Sequence, residues 1–241
     1  MLKLSKSELN QLLKFKGYGN LNGGVWFLGI EEKLPTNLIR NRELRTRLRF
    51  ESPMDLAKAQ TILGREILTA KTKTWNWMSK FALALLHPAY DWKDRATTRF
   101  YKAEYLGRSN GKTFLWELFP LPAASKKTNP CREEYRTRDD YDRQVLPARI
   151  RWISDAIKRH KPRYIIIYGA SRKYRDLISE VGALLVKKVG RGELYRYKTT
   201  KILLFSFFSR GLSLNQVGRV LRLLKDDRIR DHLKGWILLS A

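Results

Sequence analysis

"KILLFSFFSRGLSLNQVGRVLRLL", residues 201–224, decides the fold class. Its first half is an apolar run rich in β-branched and aromatic residues and bounded by a turn, the pattern of a buried strand. Its second half changes period: Leu214, Val217, Leu221 and Leu224 recur at helical spacing with charges opposite. A buried strand feeding an amphipathic helix is the repeating unit of a parallel sheet covered by helices. Between the halves lie Phe207, Phe208, Ser209 and Arg210, an aromatic and basic turn where α/β proteins ordinarily carry polar chemistry.

The same strand-then-helix order recurs upstream. Strands are predicted at Val25 to Ile30, Thr113 to Phe119 and Tyr164 to Tyr168, and the opening stretch adds Ile202 to Phe207. A helical stripe of Leu146, Ile150, Ile153 and Ile157 precedes the third strand, and Ser5 with Glu8 stands in capping-box spacing ahead of Leu9, Leu12 and Leu13. The alternation predicts an α/β fold with helices on both faces of a parallel sheet. A chain of 241 residues is expected to form one domain, 1–241.

Forty-nine Lys and Arg against 23 Asp and Glu leave a formal charge of +26. Such an excess implies a polyanionic partner, nucleic acid ahead of an acidic membrane surface. No stretch approaches the roughly 20 apolar residues of a membrane span, and the N-terminus has no signal-peptide core, so a cytoplasmic protein is expected. Basic residues concentrate at 40–49 (RNRELRTRLR) and at 125–143. Arg40, Arg42, Arg45, Arg47, Lys126 and Lys127 are candidate DNA contacts, against the plainer alternative of a solvated face. Cys131, the single cysteine, sits among charged residues and reads as an incidental surface thiol; with only three histidines beside it, no zinc site is expected.

Ligands of open parallel sheets bind beyond the carboxyl ends of the strands. There stand Glu31 and Glu32 after the first strand, Glu117, Pro120 and Pro122 at the second, Gly169 and Ser171 after the third, and Phe208, Ser209 and Arg210 after the fourth. Acidic residues at these positions are not explained by the composition of so basic a chain, although either glutamate of the first pair could cap a helix or pair with an arginine. Gly169 and Ser171 read as a tight turn and an N-cap, since one glycine falls far short of a phosphate loop.

"VWFLGIEEKLP" (25–35) resembles the first motif of the uracil-DNA glycosylase superfamily, and "FLWELFPLP" (114–122) the second-strand segment of its mismatch-specific branch. "KPRYIIIYGASRKYRDL" (161–177) is similar to its third strand and following helix, and Arg210 to Ser213 to its last motif, a loop that enters the DNA minor groove. The resemblance implies a three-layer α/β/α sandwich on a central four-stranded parallel sheet. It also implies DNA glycosylase activity on double-stranded DNA, without a cofactor or metal, by a monomer. The chain departs from the pattern where many members carry an asparagine, here Glu117, and a catalytic histidine, here Phe208. His87, His160 and His232 stand elsewhere in the sequence.

Cleaving an N-glycosidic bond develops positive charge on the deoxyribose, which Glu31 or Glu32 would stabilise while orienting water; motif position favours Glu31. Without the histidine, unmodified uracil is a poor fit, and a carboxylate at Glu117, which only accepts hydrogen bonds, favours an amino-bearing base such as a substituted cytosine. Trp75, Trp77 and Phe208 are candidate walls for the flipped base, with Ser209 and Arg210 in the DNA-penetrating loop. A basic insertion at about 33–74 separates the first motif from these tryptophans. The superfamily includes bacterial enzymes that remove bulky glucosylated bases from phage DNA, so defence stands beside repair as an expected role. The rival expectations are a non-catalytic nucleic-acid binder and a nuclease holding magnesium on Glu31, Glu32 and Glu117.

Overall fold

In a computed structural model of the protein, residues 4–32, 37–67, 72–123, 129–131, 134–169, 172–189, 192–205, 208 and 212–226 are described. Their strands are β1 (Tyr18–Gly19), β2 (Val25–Gly29), β3 (Thr113–Glu117), β4 (Tyr164–Tyr168), β5 (Leu184–Val189), β6 (Gly192–Tyr197) and β7 (Thr200–Phe205), and they form one sheet in the order β1-β3-β2-β4-β7-β6-β5. The strands β3, β2, β4 and β7 run parallel, whereas β1 joins β3, and the β5–β6 hairpin joins β7, in antiparallel fashion. The sheet is therefore mixed and seven-stranded, which corrects the expectation of a four-stranded parallel sheet; the four predicted strands form its interior. The remaining strands carry little sequence signal. β1 has two residues, and the hairpin scatters Lys187, Lys188, Glu193 and Arg196 among its apolar positions, a charge pattern that discourages further pairing at a sheet edge.

Among the described residues, eight helices accompany these strands: α1 (Lys6–Leu13), α2 (Asn37–Arg47), α3 (Leu56–Ile62), α4 (Lys73–Leu86), α5 (Arg95–Glu104), α6 (Arg138–His160), α7 (Arg172–Val181) and α8 (Leu214–Lys225). Because strand side chains alternate, each parallel strand feeds two cores. Trp26, Leu28, Trp116 and Ile167 pack with residues of α1, α6 and α7; Phe27, Leu115, Ile166 and Tyr168 pack with residues of α3, α4, α5 and α8. Both faces of the sheet are thus covered by helices. Full capping boxes start three of them, through Ser5 and Glu8 in α1, Thr137 and Asp140 in α6, and Ser213 and Gln216 in α8. The α8 stripe buries Val217, Leu221 and Leu224, while Leu214 stays exposed at the helix start. Cys131 is buried in the first core, not at the surface as expected, since charged neighbours in sequence do not set which way a side chain faces. Among the described residues no helix is long and apolar enough to cross a membrane.

Candidate active site

β2 and β3 end side by side, with Gly29 paired to Glu117. Beyond the sheet the two chains stay joined: Leu118 N–H donates to the Gly29 carbonyl at 2.8 Å, Phe119 to Ile30 at 2.8 Å and Ala123 to Glu32 at 3.0 Å. The buried guanidinium of Arg149, on α6, donates to the main-chain carbonyls of Glu117 (2.9 Å) and Phe15 (2.8 Å), and burial lowers its pKa to about 10. Glu31, Glu32 and Glu117 are thereby gathered at the carboxyl end of β2 and β3, each in a different setting.

Glu32 is tied at both oxygens. Tyr18 donates to Oε1 at 2.8 Å and Arg47 donates to Oε2, while Arg47 also bonds Glu43 at 2.7 Å and Arg65 bonds Glu43 at 2.6 Å. Burial alone would raise the Glu32 pKa, but Arg47, Tyr18 and Arg65 outweigh it and hold the carboxylate below its ordinary range. Glu31 is tied at one oxygen: Arg138 donates to Oε2 at 2.6 Å, and Oε1 is buried without a partner. Here burial outweighs the arginine and lifts the pKa above the ordinary range.

Among the described residues no cation pairs with the Glu117 carboxyl. The Tyr168 hydroxyl donates to Oε1 at 2.8 Å, Oε2 is buried without a partner, and Arg149 reaches only the main-chain carbonyl. Burial, reinforced by the charge of Glu32, raises its pKa well above the ordinary carboxylate range. The shift favours the protonated form, which donates as well as accepts, where an acceptor-only carboxylate was expected. Gly29 makes the arrangement possible. It lies between Glu117 and Tyr168 in the sheet, and a Cβ there would collide with the Glu117 carboxyl and the Tyr168 hydroxyl, so the absent side chain is what lets the two meet across β2.

Neither protein-family models nor curated proteins yield a match to this chain. The remaining predicted residues are dispersed. Phe208 is 1% exposed, its ring stacked on Tyr168 (4.9 Å between centroids) and Phe81 (5.6 Å); it touches the group that holds Glu117 and is packed inside the second core. Trp75 and Trp77, in the first turns of α4, are half-buried against that same core. Arg42 and Arg45 are exposed on α2, whereas Arg47 turns inward to Glu32 and Glu43. The Arg40 side chain and residues Lys126, Lys127, Ser171, Ser209, Arg210 and His232 lie outside the described residues. His87 caps the end of α4, and His160 ends α6 beside Asn22. A cleft of about 760 Å³ opens next to this region between α1, α2 and Pro120 to Pro122; Arg47 lines it, but neither Glu31 nor Glu117 does.

Sequence reading missed Tyr168, Arg138, Asp142 and Lys173. Tyr168 had a signal, being the last residue of a predicted strand, and so did Arg138 and Lys173, cations in the first turns of their helices. Among the described residues no three His, Cys, Asp or Glu side chains gather so as to hold a metal ion. Chemically, this end of the sheet offers one unpartnered buried oxygen on Glu31 and one on Glu117; the Tyr174 hydroxyl, Arg47 Nε and the indole nitrogens of Trp26 and Trp116 are likewise buried without a partner. Buried polar atoms of this kind are completed by bound water or by a ligand.

Proposed function

We propose that the chain is a DNA N-glycosylase with a uracil-DNA glycosylase-like fold, which hydrolyses the N-glycosidic bond of a flipped, modified cytosine and leaves an abasic site, in defence against phage or in repair. The observation that carries this reading is the pair of unpartnered buried oxygens, Glu31 Oε1 and Glu117 Oε2, at the carboxyl ends of neighbouring parallel strands. The charge of +26 supports a polyanionic substrate.

In this mechanism the C1′–N bond breaks with its electron pair leaving on the base. Glu31 stabilises the positive charge that develops on the sugar and orients a water; the water oxygen bonds to C1′ and its proton passes to Glu31. The departing base takes the hydrogen bond, then the proton, of Glu117. That acid supplies the leaving-group help for which the sequence offers no histidine. A neutral carboxyl presents an acceptor beside a donor, which matches the amino group and N3 of cytosine. Base choice then rests on that edge and on pocket shape rather than on the charge of Glu117. Glu32, with both oxygens occupied, serves as a structural tie between β1, the end of β2 and α2.

The test is mass spectrometry of bases released from duplexes carrying cytosine, substituted cytosines or uracil, and from phage DNA, with Glu31→Gln as control and EDTA as a separate arm. Substituted cytosine released by the wild type but at least 100-fold more slowly by Glu31→Gln, with strands intact until alkali treatment, is the expected result. Strand breaks abolished by EDTA would replace the reading with a nuclease, and tight DNA binding without base release would replace it with a binding protein. Release of uracil alone would overturn the base assignment.

A further inference from the structure

Two cations stand where helix electrostatics disfavours them. Arg138 is the first residue of α6 and Lys173 the second of α7, yet the helix dipole favours carboxylates in a first turn. Asp139 and Asp140 already serve that purpose in α6, and Asp140 completes its capping box. Arg138 therefore occupies its position against the preference of its own helix, and its contacts give the reason. Nη1 donates to Glu31 Oε2 at 2.6 Å and Nε donates to Asp142 Oδ1 at 2.7 Å, while the guanidinium lies 4.7 Å from the centroid of Phe119 and 5.3 Å from that of Tyr141. Lys173 pairs with the other oxygen of Asp142 and sits 4.8 Å from the Phe119 centroid. The Arg138 and Glu31 side chains are 11% and 5% exposed, so water has little room to substitute for either in this contact.

We infer that Arg138 is the positioning residue of Glu31, itself held in place by Asp142 and Lys173: it occupies Oε2 and leaves Oε1 as the oxygen that meets the reacting sugar. The inference rests on the glycosylase reading for the identity of that sugar. A guanidinium that donates one hydrogen bond to each of two carboxylates and lies on an aromatic face is fixed in orientation, and that orientation is passed on to Glu31. The charged and titratable groups around Glu31 are Arg138, Tyr141 and Asp142 from α6, Lys173 and Tyr174 from α7, and Glu117 from β3. Among them Arg138 and Lys173 oppose the rise that burial imposes on Glu31.

The test follows Glu31 directly. Its carboxyl carbon is titrated by NMR, assigned with Glu31→Gln, in the wild type, Arg138→Gln, Arg138→Lys and Lys173→Met, alongside single-turnover base release across pH. In Arg138→Gln the Glu31 midpoint should rise by about one pH unit or more. Base release at neutral pH should fall about 100-fold, with the acidic limb of the profile moved to higher pH. Arg138→Lys should restore most of the midpoint but only part of the rate, because the charge returns without the fork. Lys173→Met should move both in the same direction, with a rate loss of about tenfold. An unmoved Glu31 midpoint in a folded Arg138→Gln protein overturns the inference, whether or not the wild type releases a base. If that variant does not fold, an unmoved midpoint in Lys173→Met overturns it equally. A moved midpoint with no base release by the wild type leaves the positioning role standing and removes the glycosylase reading instead.

Discussion

Glu32 and Glu117 stand at the same end of the same sheet, and the protein treats them in opposite ways. Glu32 is joined to Arg47, and through it to Glu43 and Arg65, so its negative charge is built into the fold. Glu117 meets a neutral hydroxyl at one oxygen and, among the described residues, no partner at the other, so burial pushes it toward the uncharged form. The difference lies in where guanidinium groups are placed: Arg47 reaches a carboxylate, whereas Arg149 spends its donors on main-chain carbonyls. In a chain with 49 Lys and Arg, withholding a cation from one buried carboxyl is a specific arrangement. The two carboxyls are set apart here by their partners.

Removing the cation from the first region gives the largest expected effect. Arg47→Leu takes the cation from a buried Glu43, which keeps Arg65, and from a half-buried Glu32, and unfolding in urea should show a loss of about 3 kcal/mol, with the midpoint falling at constant slope. A loss below about 1 kcal/mol would show that the network contributes little and would erase the contrast. Next in size is Gly29→Ala, whose Cβ would collide with the Glu117 carboxyl and the Tyr168 hydroxyl. We expect a cost of about 1 to 3 kcal/mol and loss of the Tyr168 hydrogen bond, visible as a changed Tyr168 environment in NMR.

The smallest effects carry opposite signs with pH. The fold holds the Glu117 pKa above the ordinary glutamate range in which the unfolded chain releases the proton. Its contribution to stability is therefore full below that range and declines as pH rises toward the folded pKa. Glu117→Gln has no proton to lose, so at pH 8 it should equal or exceed the wild type by up to about 1 kcal/mol, and the advantage should vanish at pH 4. Glu32, held below its ordinary range, stabilises the fold above that range and loses the contribution as pH falls. Glu32→Gln should accordingly be the less stable protein at pH 7, with the gap closing on acidification. Parallel pH dependence in the two variants would break the comparison.

Much of this arrangement follows from local pattern. Period and capping place the four parallel strands, α1, α6 and α8, and the order of the strands brings Glu31, Glu32 and Glu117 to one end of the sheet by the carboxyl-end rule. What local pattern does not carry is which groups meet across the sheet. Arg47 looks like any other cation of the 40–49 run, because charge in a sequence does not disclose that one turn of α2 faces inward. Tyr168 and Gly29 become informative only once the register sets Gly29 between Tyr168 and Glu117. The raised pKa of Glu117 depends on the absence of a partner, and such an absence has no sequence motif.

The order of the strands also bears on how the chain folds. β5, β6 and β7 follow one another and pair antiparallel, so they close over short loops. β2 must pair with β3 and β4, which lie far along the chain, and closing those loops costs more entropy before any contact rewards it. We therefore expect the end of the sheet that carries Glu31 and Glu117 to assemble after the hairpin. Pulse-labelled hydrogen exchange should find the β6 and β7 amides protected before those of β2. Under the proposed function, a half-folded copy would carry the charge of +26 before Glu31 and Glu117 are brought together.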